Sequence, residues 1–367
     1  MRSRIVSSAL FALALAGCSG GGGGSSSVPA TSPAPSPSPM TTQSLSQQDV
    51  AQAGTEAAFD PIEAGTDDAS IANGSLGTVL SVSRRVESLG SNGVCVNGHI
   101  FSLTTISTNE IQYENKFFFD AACTELARDT VALITTNSPT SESITRTQTD
   151  HNLAGALIST RTSSFSITGS PGNFSSTQTS QLTVGTATTP TVQYARQVTI
   201  APQTTSVSTL AANSGRITNV VAPSINAEFG HMGQITNGTR TIDNAGDVTF
   251  AGTHTGTLFM GPLNALSLSS TSPFTVSGGT TLGTNTLTGS ITFSPTGLLS
   301  AVSLNGTFLN GNTIAITSSG TPLVVSGTIT SPAGASVATF MVDAFGNGTI
   351  TYASGGQATI IDWHVVK

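Results

Sequence analysis

Charge is scarce in this chain. Only 31 of 367 residues carry it, 12 Lys or Arg against 19 Asp or Glu, where ordinary soluble domains run near about 25% charged. With so few basic residues and a net charge of −7, the chain lacks the clustered Lys and Arg that neutralise phosphates, which excludes a nucleic-acid binder. It lacks the Ala, Glu, Lys, Leu and Arg bias of long helices and coiled coils as well. Aromatics are also few, with 16 Phe, 3 Tyr and 1 Trp. An outer-membrane barrel needs aromatic girdles and lipid-facing apolar strands, so that class is set aside. Three cysteines form no CxxC pair, and five histidines (His99, His151, His231, His254, His364) show no HxH or HExxH spacing. The sole G-x-S-x-G match is Gly17 to Gly21, outside any strand-to-helix turn. No catalytic motif, metal set or cofactor is read from these spacings.

What the chain has in abundance is hydroxyl. Ser and Thr fill 50 and 58 positions beside 39 Gly, so water meets hydroxyls and backbone rather than ions. From about residue 76 the pattern is β. Leu287, Gly289, Ile291 and Phe293 alternate with Thr288, Ser290 and Thr292. After Pro295-Thr296-Gly297 the alternation resumes at Val302, Leu304, Gly306 and Phe308. Leu323, Val325, Gly327 and Ile329 repeat it, as do Ile350 with Tyr352. Period two with one apolar and one hydroxyl face predicts half-buried antiparallel strands, and β-branched Thr suits the outer face. Seven Asn-Gly pairs, at Asn73, Asn92, Asn97, Asn237, Asn305, Asn310 and Asn347, offer the positive φ that two-residue hairpins require. A loose Gly-Thr/Ser-Ile/Leu echo has no fixed period, which excludes a solenoid or propeller. The expected fold is all-β, a meander of antiparallel hairpins in a β-sandwich or partly closed β-barrel, with one or two short helices near the N-terminus.

The N-terminus carries an address. Arg2 and Arg4 precede an apolar run from Ile5 to Ala16 that only Ser7 and Ser8 interrupt. It is shorter than the roughly 20 residues that span a bilayer and fits a secretory h-region. The run ends in Leu15-Ala16-Gly17-Cys18, which resembles the bacterial lipobox. That resemblance covers residues 1–18. It implies cleavage before Cys18, a lipidated Cys18 and a membrane partner through the acyl chains, each buried CH₂ contributing about 0.8 kcal/mol. Ser19 in place of the Asp that retains enterobacterial lipoproteins at the inner membrane points to the outer one. Residues 18–45 then read as a Gly/Ser/Pro-rich tether, flexible where Gly and Ser dominate and stiffer where Pro does. A Cys followed by poly-Gly is similar to the start of surface-displayed lipoproteins of the transferrin-binding type, over the tether alone.

Behind the tether, Ser46-Gln47-Gln48-Asp49 reads as a capping box opening a helix through about Ala58. Glu56, Asp60, Glu63, Asp67 and Asp68 have no basic neighbour in sequence and read as a solvated acidic linker, without the ligand spacing of an EF-type loop. Residues 46–140 hold 12 acidic and 4 basic residues and 141–367 hold 7 and 6, suggesting an acidic region and a Ser/Thr/Gly-rich β region divided near Asn137-Ser138-Pro139, though both could share one sheet. In an exported chain Cys95 and Cys123 are expected to form a disulfide. The alternative, a two-Cys metal site, has only His99 nearby. The run Phe117-Phe118-Phe119 reads as core. Strand alternation at the C-terminus puts Trp363 inward as a core anchor and Asp362 with His364 outward as a surface hydrogen-bonded pair. Asp243 to Asp247 reads as a hairpin turn, and so does Asp343 to Tyr352, which is similar to one unit of the many-copy YD/Rhs shell repeats.

These features fit a lipid-anchored cell-envelope lipoprotein with a structural or adhesive role. The alternative is a binding module for a glycan or an apolar ligand in a barrel or groove, and an envelope protein is a further partner. Replacing Cys18 with Ser removes the thiol that takes the lipid, so the chain should move from the membrane to the soluble fraction. Retention in the membrane fraction would contradict the anchor.

Overall fold

The period-two segments form strands. In the computed structural model, which describes residues 45–72, 92–170, 172–218, 228–261, 266–267, 275–276 and 280–366, the strand Leu157–Ser170 shows the rule. It turns Ser159, Arg161, Ser163, Phe165 and Ile167 inward, and Thr162, Ser164, Ser166 and Thr168 outward. The lipobox with Cys18, the tether up to residue 44 and Asn73 lie outside the described residues.

Each strand pairs antiparallel with the next along the chain, from His99–Ser107 to His364–Val366, in one sheet of 19 strands. A separate two-stranded pair, Leu266–Ser267 with Thr275–Val276, branches off between Val248–Gly261 and Thr280–Phe293. Neighbouring strands twist by roughly 20–25°, and open sheets seldom pass about 10 strands without curling. This sheet rolls until parts far apart in sequence meet. The rings of Phe117 and Phe345 lie 5.8 Å apart, and Arg128 Nη2 donates to the Phe345 carbonyl at 3.1 Å. No ladder joins the first and last strands among the described residues, so the architecture is a partly closed barrel rather than a sandwich of two sheets. The expected division near Asn137 falls on a hairpin. Thr136 pairs with Glu142 and Ser138 with Ser141, so the acidic and the hydroxyl-rich regions share the sheet.

A helix, Gln47–Ala72, fills the inside. Its capping box forms as expected: Asp49 N–H donates to Ser46 Oγ at 3.1 Å and Ser46 N–H donates to Asp49 Oδ2 at 3.0 Å. Its extent does not. The helix runs 26 residues, through Pro61, and is buried on every side, with Ala53, Ala57, Phe59, Asp60, Ile62 and Glu63 each at most 2% exposed. The short helix and the solvated acidic linker are therefore corrected to one long interior helix. Gly54, Pro61 and Gly65 are poor helix formers, so tertiary burial rather than propensity sustains it. The glycines have a packing role. A Cβ on Gly54 would lie 2.2 Å from the Phe308 ring, and one on Gly65 would lie 2.7 Å from the Phe293 ring. Phe59 packs edge-on against Phe340 and Trp363 at centroid distances of 5.1 and 5.3 Å.

Turn chemistry departs from the Asn-Gly expectation. Asn97-Gly98 and Asn310-Gly311 do take positive φ, but Asn305-Gly306 lies within the strand Leu299–Phe308, and Asn237-Gly238 falls at a register shift. The recurrent hairpin is Asn, Asp or Ser followed two residues later by the residue before a Gly. At Asn152, Asp243, Ser294, Ser331 and Asp343 the first residue's carbonyl accepts from the Gly three positions on, and its N–H donates to the carbonyl four positions on. The first side chain then accepts from one or more backbone N–H groups inside the turn. Positive φ at Gly155, Gly246, Gly297, Gly334 and Gly346 completes it. The phenylalanine run is also only partly core: Phe117 is buried, Phe118 half-buried and Phe119 exposed.

Filling the space held open by Gly54 tests this packing. Gly54→Val should cost about 1–3 kcal/mol through overpacking against Phe308, read as a lower midpoint in chemical denaturation. A midpoint unchanged from the parent would show that the helix does not press on that ring.

Candidate functional site

Glu56, Asp60, Glu63 and Asp67 are spaced 4, 3 and 4 residues apart, which places them in one stripe of a helix. The sheet supplies the opposite charge. Arg128, Arg146, Arg161, Arg196, Arg216 and Arg240 sit one to a strand and are all buried, with Gln178 on the strand between Arg161 and Arg196. Glu63 binds Arg161 and, at 3.1 Å, Arg216. Asp67 binds Arg146 and Gln178. Asp68 meets Arg196 at 2.6 Å, and the same guanidinium donates to the Ala64 carbonyl at 2.8 Å. Glu56 accepts from Val365 N–H at 2.5 Å and faces His364 at 3.3 Å and Arg216 at 3.5 Å.

The C-terminus joins this network instead of facing water. Asp362 and Trp363 take φ of 47° and 68°, forming a tight turn between Gln357–Ile361 and His364–Val366. Strand alternation therefore fails there. Trp363 is the core anchor expected of it, but Asp362 and His364 are buried too, which corrects the surface-pair reading. Asp362 accepts from Arg161 Nε at 2.8 Å and Arg128 Nη2 at 3.0 Å. Arg128 also holds Asp150 with two bonds of 2.6 and 2.7 Å. Burial opposes the charged form of Glu63, but Arg161, Arg216 and His364 outweigh it and hold the carboxyl well below its ordinary range. Asp362 is likewise held low, burial being overcome by Arg161 and Arg128. Asp68 goes the other way, because burial exceeds the pull of Arg196.

Asp60 meets no arginine in a direct contact among the described residues. It faces two histidines. His254 Nε2 lies 2.8 Å and His231 Nδ1 3.5 Å from Asp60 Oδ2, and Ser214 Oγ donates to the same oxygen at 2.6 Å. His231 and His254 occupy adjacent strands, diagonal across the directly paired Gly233 and Gly256. Both glycines are required. A Cβ on Gly233 would lie 2.2 Å from His254 Nε2, and one on Gly256 2.3 Å from His231 Nε2. The rings stack at 5.3 Å. Burial pushes His231 down to about 4, against the pull of Asp60, so the imidazole is neutral near neutral pH. Asp60 is held low, since hydrogen bonding from His254 and the fields of His231, His254 and Arg216 overcome burial. Several atoms here have no hydrogen-bond partner among the described residues, namely Asp60 Oδ1, His231 Nδ1 and His254 Nδ1, while the Asn285 carboxamide lies against His231. One carboxylate oxygen and two imidazole nitrogens within 4.8 Å of one another are a donor set able to hold a metal ion.

The other sites read from the sequence lie elsewhere. Cys95 and Cys123 are joined by a disulfide, which ties the two-residue strand Cys95–Val96 to the loop after Phe118. His99 stacks on Phe117 and bonds to Asn115, and the half-buried His151 contacts the Gly155 carbonyl within its own turn. Asp243 closes its hairpin by accepting from Ala245 and Asp247. Sequence spacing missed the Asp60–His231–His254 group because its members are 171 and 23 residues apart and meet only through the helix and two paired strands. The chain matches no family model, no curated protein and no solved structure.

The ion pairs set an acid limit. Glu63 and Asp362 have pKa values lowered on folding, so their stabilisation is present above their unfolded range and is lost as pH falls below about 4. Thermal scans should show a midpoint that drops steeply there, and a midpoint level into stronger acid would contradict the network. Glu63→Gln should cost about 3 kcal/mol, because it removes the buried counter-charge that Arg161 and Arg216 share and leaves them Asp362 and Glu56 alone.

Proposed function

We propose that this chain is a lipid-anchored envelope lipoprotein whose barrel displays an uncharged hydroxyl surface for adhesion, with neutral glycans as the ligand class. One observation carries the reading. Thr255, Thr286, Thr307, Thr313 and Thr330 stand directly opposite one another across five consecutive strands, all exposed except the half-buried Thr330. Strand spacing sets such a row at about 4.8 Å per hydroxyl. Beside it Thr288, Asn305, Ala315 and Thr328 form a second row. The two rows line a shallow outer depression of about 640 Å³, and a second, of about 550 Å³, is bordered by Thr145, Thr147, Thr162, Ser164 and Thr179. Hydroxyls in fixed rows donate and accept, as sugar hydroxyls do, and many weak contacts sum through multivalency.

The interior argues against the apolar-ligand alternative. Helix and arginines occupy it, and the void between helix and sheet beside His254 is about 40 Å³, room for about one water rather than a ligand of several hundred cubic ångströms.

Protease shaving of intact cells tests display: loss of the domain without lysis is expected, and protection until lysis would shift the reading to a periplasmic envelope role. The triple substitution of Thr286, Thr307 and Thr313 by Val should leave the thermal midpoint nearly unchanged, since all three side chains point outward and Val keeps the β-branched shape, while abolishing retention on immobilised neutral polysaccharide. Equal retention of parent and variant would remove the threonine rows from the reading.

A further inference from the structure

We propose that Asp60, His231 and His254 bind one divalent transition-metal ion of the Zn²⁺ type inside the barrel, fastening the helix to the sheet. Tetrahedral Zn²⁺ takes imidazole nitrogen and carboxylate oxygen at about 2.0–2.2 Å, which places neighbouring donor atoms about 3.3 Å apart. The separations from Asp60 Oδ2, 2.8 Å to His254 Nε2 and 3.5 Å to His231 Nδ1, bracket that value. The donor set is two imidazoles and one carboxylate, which suits Zn²⁺ and its first-row neighbours rather than Ca²⁺ or Mg²⁺.

Three further observations point to a ligand. His231 is 1% exposed, yet its Nδ1 makes no hydrogen bond among the described residues, and Asp60 Oδ1 is orphaned in the same place. Buried groups left so call for an ion or water. The outer layer is supplied as well. Asn285 Oδ1 and His231 Nε2 converge on the same point above Gly256, so the carboxamide is placed to accept the N–H of an imidazole ligating through Nδ1, the arrangement that fixes tautomer and ring orientation in metal sites. The 40 Å³ void beside His254 has room for a water at its other nitrogen. Finally, Glu56, Glu63, Asp67 and Asp68 on the same helix each meet a guanidinium, whereas Asp60 meets imidazoles and a hydroxyl. A dication there supplies the counter-charge.

The test uses the mature lipidated chain in detergent, purified without a histidine tag. It is unfolded in denaturant with a chelator and refolded with its disulfide intact, either with Co²⁺ or without metal. With Cys95 and Cys123 bonded and Cys18 acylated, no free thiol competes. The expected result is one Co²⁺ retained per chain after dialysis, visible bands of four- or five-coordinate cobalt, and a thermal midpoint raised by about 5 °C or more. His231→Asn and His254→Asn should each lose the bands and the shift, while His151→Asn, at an exposed turn, should keep both. Wild-type protein that refolds to the same circular dichroism spectrum with no retained cobalt and no midpoint shift from Co²⁺ or Zn²⁺ would overturn the proposal and leave the cavity to water. That comparison stands whether or not the histidine variants fold.

Discussion

The structure depends on burying one acidic stripe. Glu56, Glu63, Asp67 and Asp68 lie inside a barrel where isolated charges are costly, and each is matched by a guanidinium from the sheet. Desolvation and Coulomb attraction nearly cancel for such pairs, so their contribution to net stability is small. The loss of one partner is costly. That asymmetry makes the pairs a register device. Arg146, Arg161, Arg196 and Arg216 sit on four strands of one continuous meander. A one-residue slip of any of these strands would turn its arginine to the outside and strand a helix carboxylate.

The register in turn decides both surfaces. With Arg146 and Arg161 pointing inward, the alternate positions Thr145, Thr147 and Thr162 face water. On these strands the outer face is therefore built of hydroxyls, because the arginines are engaged with the helix. Among the described residues the void between helix and sheet beside His254 is about 40 Å³, which is why the recognition proposed above is assigned to the outside. Glycine serves the same geometry. Gly54 and Gly65 let rings of the sheet reach the helix backbone, and Gly233 and Gly256 let two imidazoles lie flat against the strands beside Asp60.

Much of the sheet was legible in the sequence, because strand alternation is a local signal: the hairpin from Thr280 to Phe308 lies where Leu287, Ile291, Val302 and Leu304 predict it. The capping box at Ser46 was legible for the same reason. The helix beyond Ala58 was not, since Gly54, Pro61 and Gly65 weaken propensity and the partners of its acids are about 80 to 300 residues away. A signal was nonetheless present. Four carboxylates at 4-3-4 spacing define a helix face, and a lone arginine inside each of several hydroxyl-rich strands has no acidic neighbour on its own strand's outward positions to pair with. At the C-terminus, alternation misassigned Asp362 and His364 because two consecutive residues with positive φ reset the phase of the strand.

Scarcity of charge thus has a different meaning once the fold is known. In an ordinary domain ions on the outside provide solubility and an apolar interior provides cohesion. Here all six arginines between Arg128 and Arg240 are inside, while solvation of the outside rests on hydroxyls. A hydroxyl surface carries little long-range field, so it neither steers nor repels charged partners. The recognition proposed above would discriminate by hydrogen-bond geometry at contact range, and fixed rows on a stiff sheet would lose little entropy on engagement. Rigidity of the rows therefore depends on the filling of the barrel: a helix held by paired charges keeps the curvature of the sheet constant, and with it the spacing of the threonines on its far side.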